Sequence, residues 1–440
     1  MTFGIDLGTT NSLIGYGDEL YSGLVPSNVD IVKAEQVGRE VVGPDIVSSY
    51  KINMSTESTG EIPIQCSSII LRTLADMATR RSGAVCEDVI ISVPYYFTHI
   101  QREAVKEAAR RAGLNFKGLI NEPTAAALYT CSNIRDLVIV YDLGGGTFDV
   151  SIVDSRVGGY NVIATDGMVC GGDDLDQALV NAVLKDCKVP LRFQTKEFRK
   201  HLKTVMRLAK EQIQKQKTDV HVDLSQFEIG CDDYVLTEAK YIELVEDVFG
   251  QTLDMTQQLI DSNIGSQDKP RIVYVGGSSN CPYLKKMIKD TLDLEEIKSE
   301  VQPDYLVARG VAYYAKLFDQ GRVDSFVNDV TKRLSIEDSA GRTIEIIKNN
   351  MTIPCKGTAF VHNTDRSDEL RLRLYQGDSI MAVNNDYIGS LVYKFDQVME
   401  PGEGYVEVGV SIDRDGVIVL SAKDIWGTEE QKIPLLLIKR

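Results

Sequence analysis

Two stretches of this chain carry the same uncommon order of residues. Val138-Ile-Val-Tyr-Asp-Leu-Gly-Gly-Gly-Thr-Phe-Asp-Val-Ser-Ile152 is an apolar run, an Asp, a glycine and threonine turn, and more extended chain, and Phe3-Gly-Ile-Asp-Leu-Gly-Thr-Thr-Asn-Ser12 repeats that order. Each predicts a strand, a tight turn and a second strand. The glycines let backbone N–H groups approach something bulky, and the threonines add hydroxyl donors. Folding needs alone do not account for the same turn at both places, whereas phosphate fits it well. Two such hairpins, each with an acid (Asp6, Asp142), imply a cleft that grips a polyphosphate from both sides, with a divalent cation near the carboxylates. The pattern is neither the G-x-x-x-x-G-K-[ST] loop nor a dinucleotide G-x-G-x-x-G that opens a helix, because here the turn lies between strands.

The 440 residues, 43% of them hydrophobic, supply material for two or three domains with cores of their own. A net charge of −16 argues against a nucleic-acid partner held through its phosphates and against an anionic membrane surface. The eight cysteines are scattered, without a C-x-x-C or a histidine at ligand spacing, so neither a zinc site nor a disulfide framework is expected. The strand-like start leaves no room for a signal peptide and no apolar run approaches membrane-spanning length, which makes the cytoplasm the expected location.

Strand, turn and helix signals alternate along the first three quarters of the chain, the signature of an α/β fold. Apolar residues at Ile70, Leu74, Met77 and Ala78 predict a helix over 68–81, and Thr98 with Gln101 forms a capping box that opens the next. Helices are expected at about 174–187 and 196–216, from Thr237 to about Ser262, from Pro282, and over Tyr305 to Phe318. The two similar halves, with their hairpins facing each other, imply an actin-like (ribonuclease H-like, duplicated) nucleotide-binding domain over 1–318. Residues 319–329 read as a linker. Beyond them period-two alternation, as in Leu370-Arg-Leu-Arg-Leu374 and Val406-Glu-Val-Gly-Val-Ser-Ile412, predicts an antiparallel β-sandwich over 330–440.

The chain resembles the Hsp70 molecular chaperones. The resemblance rests on Gly4-Ile-Asp-Leu-Gly-Thr-Thr-Asn-Ser12, Val93-Pro-Tyr-Tyr-Phe97, Ile120-Asn-Glu-Pro-Thr-Ala-Ala-Ala-Leu128, Asp142-Leu-Gly-Gly-Gly-Thr-Phe-Asp149 and Val275-Gly-Gly-Ser278, in the same order and at similar spacing, and it covers nearly the whole chain. It implies ATP hydrolysis to ADP and phosphate, with Mg²⁺ and a K⁺ ion as further cofactors. Unfolded or extended peptide segments, a J-domain cochaperone and a nucleotide exchange factor are the implied partners. Gly8, Thr9, Thr10 and Asn11 on one side, and Gly144, Gly145, Gly146 and Thr147 on the other, would hold the phosphates. Asp6 and Asp142 would organise the hydrated Mg²⁺, with Asp149 a further acid of the site. Lys51 resembles the lysine that points at the attacking water, and Glu122 the cleft acid that senses the γ phosphate; both, with Asp6, Asp142 and Thr147, are the implied catalytic set. Gly172, Lys210, Gly276, Gly277, Ser278 and Asp304 match the nucleoside site. Phe360 matches a buried position at the base of the peptide groove and Leu370 an apolar position lining it.

The base site departs from the family pattern. Arg207 stands where an acid is usual, Glu211 where a base is usual, and Asn280 in place of a stacking arginine, which implies weaker or differently selective nucleotide binding. Arg207 and Glu211 also have the spacing of a solvated i,i+4 ion pair. The sequence stops after the β module without a helical lid, Ser325-Phe-Val-Asn-Asp329 replaces the usual leucine-rich linker, and Gly118 stands where a basic residue meets J-domain partners. Those departures leave open a second function, a nucleotide-dependent scaffold that binds one dedicated partner through the β module.

Overall fold

A computed structural model describes residues 1–31, 46–54, 61–131, 134–156, 159–265, 267–323, 327–328, 330–413, 417–425 and 430–434. Its first sheet runs, in spatial order, Glu19–Leu20, Asn11–Tyr16, Phe3–Leu7, Asp88–Val93 and Asn115–Asn121, with Val25–Pro26 also on Asn11–Tyr16. The first three form an antiparallel meander and the last two join parallel. The second sheet repeats that order with Tyr160–Met168, Phe148–Asp154, Leu137–Leu143, Arg271–Val275 and Glu295–Glu296, again a meander followed by two parallel strands.

Apolar strand runs buried on both faces explain why each sheet lies between helices. Helices Glu61–Ser82 and His99–Arg111 pack on the first sheet. Gly172–Asp186, Lys196–Gln216, Glu238–Asn263 and Pro282–Leu292 pack on the second. Glu122–Thr130 and Leu306–Asp319 share a core with strands of both sheets. These two helices cross so closely that a Cβ on Gly310 would lie 1.7 Å from the Ala125 carbonyl oxygen, so the alanine-rich sequence of one and the glycine of the other set the distance between the halves.

The last part of the chain is antiparallel throughout. Thr343–Ile347, Leu334–Glu337, Ser367–Gln376 and Asp386–Met399 make one four-stranded sheet, and Cys355–His362, Tyr405–Ile412, Ile418–Asp424 and Glu430–Pro434 make another. Their alternate residues bury a common core from Leu334 to Ala422, which makes the pair a sandwich.

Two expectations change, and two others concern segments that lie partly or wholly outside the described residues. The helix placed over 68–81 begins at Glu61, because Pro63 falls in the first turn, where a missing N–H costs no intrahelical bond. The stretch read as a linker contributes Val327–Asn328 as a parallel edge strand beside Tyr160 and Asn161, although residues 324–326 and 329 lie outside the described residues. The part of the chain on which the missing lid was read, 435–440, also lies outside them. Finally, Cys187 and Cys231 form a disulfide with Cα atoms 5.8 Å apart. This one pair departs from the expected absence of disulfides because the fold brings together the end of helix Gly172–Asp186 and a turn 44 residues later, which spacing does not reveal.

Candidate functional site

The two hairpin turns meet. A Cβ on Gly145 would lie 2.0 Å from Thr10 Oγ1, so only glycine lets the second turn approach the first. In the first turn a Cβ on Gly8 would strike the Asn11 carbonyl. Strand register fixes the acids at the bases of these turns: Asp6 opposes Leu13, and Asp142 opposes Asp149.

From the meeting point a cavity of about 400 Å³ opens between the halves, large enough to enclose a mononucleotide. Its phosphate-like end is lined by Asp6, Gly8, Thr9, Thr10 and Asn11 from the first half, and by Asp142, Gly144, Gly145 and Thr147 from the second, with Glu122 at the base. The far end is lined by Gly172, Arg207, Lys210, Glu211, Gly276, Gly277, Ser278 and Asp304. The spacing of Arg207, Lys210 and Glu211 puts them on one face of helix Lys196–Gln216. Gly146 belongs to the second turn but does not line the cavity, and Asn280 faces a neighbouring pocket with Tyr274 and Lys285.

Lys51 does not line the cavity directly. It is buried, donates to Glu122 Oε1 at 2.5 Å, and lies 5.6 Å from the Phe97 ring centroid. Glu122 opens its helix just after Asn121 and before Pro123, which suits the first helical turn. The carboxylates around this pair are crowded. Burial, reinforced by Glu122, pushes Asp6 up to about 7, although Ser92 donates to it at 3.0 Å. Burial with Glu122, Asp149 and Asp6 likewise holds Asp142 well above the carboxylate range. Asp149 is pushed up to about 8 by burial and then Glu122, and its Oδ1 is buried without a hydrogen-bond partner. Such excess negative charge fits a divalent cation. Among the described residues no three acidic, histidine or cysteine side chains form a metal cluster.

The far end corrects one expectation. Arg207 does not pair with Glu211; its Nε bonds Asp176 at 2.7 Å and its Nη2 bonds Asp173 at 2.8 Å. Lys210 donates to the Gly172 carbonyl at 3.1 Å and pairs with the other oxygen of Asp176 at 2.6 Å. Asp173, Asp176, Gln214, Leu24, Pro303 and Val307 line the cavity without having been singled out from the sequence. Asp176 and Asp173 are 31 and 34 residues from Arg207, and only the fold joins them.

The sequence-implied peptide residues lie on different sheets of the sandwich. Phe360, on Cys355–His362, is 62% exposed rather than buried, and Leu370, on Ser367–Gln376, packs partly against the core. Among the described residues no helix is long and apolar enough to cross a membrane.

The family model described as "Hsp70 protein" matches residues 35–438. Members of that family are ATP-dependent chaperones whose ATPase generally works with Mg²⁺ and whose partners are unfolded peptides and cochaperones. The match extends over almost all of the chain, through the second hairpin, the far end of the cleft and the sandwich, and the chain belongs to the Hsp70 family.

Proposed function

We propose that residues 1–318 form an actin-like, duplicated ATPase domain that binds and hydrolyses ATP in the cleft between its halves, and that 330–440 form a peptide-binding domain controlled by that cycle. The observation that supports this best is the meeting of Gly145 with Thr10 at one end of the cavity, beside the buried Lys51–Glu122 pair. Hydrolysis needs charge neutralisation and a positioned water more than covalent help. Backbone N–H groups and hydroxyls of the two turns would hold the β and γ phosphates. Mg²⁺, held through water by Asp6 and Asp142, would supply the neutralising charge. Lys51, fixed by Glu122, would orient the water, and Lys210 with Gly277 and Ser278 would hold the nucleoside.

Two contacts support control of the sandwich by the cleft. Lys332 Nζ donates to the Tyr96 carbonyl at 3.3 Å and lies 5.6 Å from the Tyr95 ring centroid. Asn350 Oδ1 accepts from the Thr165 N–H at 3.3 Å. A peptide that favours the hydrolysing conformation must then accelerate hydrolysis. Calorimetric titration with ATP tests the nucleotide site: binding with Mg²⁺ that weakens when the ion is removed supports it, and absence of binding under both conditions contradicts it.

A further inference from the structure

The segment that carries Lys51 is tied to the opposite half of the cleft. Ser49, two residues before Lys51, sits in the left-handed region at φ 51°, and its hydroxyl donates to Asp173 Oδ2 at 2.8 Å. A serine does not adopt that conformation without support. Lys200 adds a second tie from the same side, donating to the Ile46 carbonyl at 3.2 Å.

Asp173 is itself a joint between three parts of the site. Its backbone N–H donates to the Gly145 carbonyl at 2.6 Å, which places it directly on the second phosphate turn. Its Oδ1 takes Arg207 Nη2 at 2.8 Å and Lys203 Nζ at 2.9 Å, both from the helix that lines the nucleoside end. Its Oδ2 takes Ser49. Burial works against the charge, but Lys203, Ser49 and Arg207 outweigh it and hold the carboxyl below its ordinary value, so Asp173 is an anion in this arrangement.

We propose that Asp173 is a positioning residue for Lys51: it couples nucleoside occupancy at helix Lys196–Gln216 and phosphate occupancy at Gly145 to the placement of the Ser49–Lys51 segment over the cleft. The inference rests on the reading of the cleft as an ATPase site. A side chain that must point at one water gains most from such a tie, because a small misplacement lowers the rate of the chemical step more than it lowers binding. Contacts made to the nucleoside, remote from the reacting phosphate, are thereby used in the transition state.

The test is single-turnover phosphate release from preformed enzyme·Mg·ATP complexes, with ATP affinity measured in parallel, for the full chain and for Ser49→Ala, Ser49→Asn and Asp173→Asn. The expected result is a loss of roughly tenfold in the cleavage rate for Ser49→Ala, with affinity within about threefold of the parent. Ser49→Asn, which suits the left-handed backbone and keeps a side-chain donor, is expected to retain most of the rate. Asp173→Asn is expected to lose at least as much rate as Ser49→Ala and to add no further loss in the double variant, because both act on one bond. A Ser49→Ala rate within twofold of the parent, or equal losses for Ser49→Ala and Ser49→Asn, overturns the proposal while leaving the ATPase reading standing. Absence of phosphate release from the parent chain overturns both.

Discussion

Lys51 and Glu122 satisfy each other in an interior that otherwise holds too many carboxylates. Removing the cation leaves Glu122 beside Asp6 and Asp142 with nothing to offset it, and removing one partner of a buried pair costs about 3–5 kcal/mol in general. Lys51→Ala is therefore expected to lower the single-turnover rate by about 10²-fold or more while ATP still binds, as measured by phosphate release beside calorimetry. A loss of affinity with the rate of the bound complex unchanged would assign Lys51 to binding alone. Asp149 gives a pH signature. Its folded pKa, about 8, lies above the ordinary 3.8, so the native state holds its proton more tightly than the unfolded chain does. The stability it contributes is fully present below about 3.8 and is lost as pH rises through about 8. Without nucleotide or divalent cation, the melting temperature of Asp149→Asn is expected to rise relative to the parent between pH 5 and pH 9. A constant difference across that range would mean that the carboxyl is not held protonated.

At the scale of elements, the hairpins were legible because everything that defines them is local: an apolar run, an acid, and glycines at the turn. The same holds for the capping box of Thr98 and Gln101, which the structure forms with both reciprocal bonds, and for the helices from Gly172 onward, whose ends move by at most two residues, whereas the helix at Glu61 starts seven residues early. Asp173, Asp176 and the Cys187–Cys231 disulfide were not legible, since each depends on elements far apart in sequence. Phe360 was misplaced for another reason. Its buried position was carried over from the family resemblance rather than read from the strand pattern, and here the side chain is 62% exposed. Close approach between elements also yields a test. Gly145→Ala puts a methyl against Thr10 and is expected to weaken ATP binding more than tenfold by separating the two turns. Gly310→Ala acts elsewhere, forcing helix Leu306–Asp319 away from Ala125, and is expected to cost about 1–3 kcal/mol in urea unfolding. Unchanged affinity in the first variant would show that the turns need not touch for nucleotide to bind.

For the whole molecule, the family match and the sandwich make a chaperone cycle the natural frame, and the edge strand Val327–Asn328 gives the segment before the sandwich a place on the second sheet. Two residues are too short to carry a strand period, which is why this stretch read as a linker. Lys332, at the start of the sandwich, is 3.3 Å from the Tyr96 carbonyl, and its burial lowers its pKa against the pull of Asp149 and Asp166. Lys332→Ala is expected to reduce the ratio of peptide-stimulated to peptide-free turnover by at least about fivefold. An unchanged ratio would remove Lys332 from the coupling path. The central claim, that one cleft hydrolyses ATP under the control of a peptide bound to the sandwich, is tested most directly by single-turnover ATP hydrolysis with and without an extended apolar peptide. The expected result is measurable phosphate release that the peptide accelerates by about fivefold or more. Identical rates with and without saturating peptide, or no release at all, would contradict it.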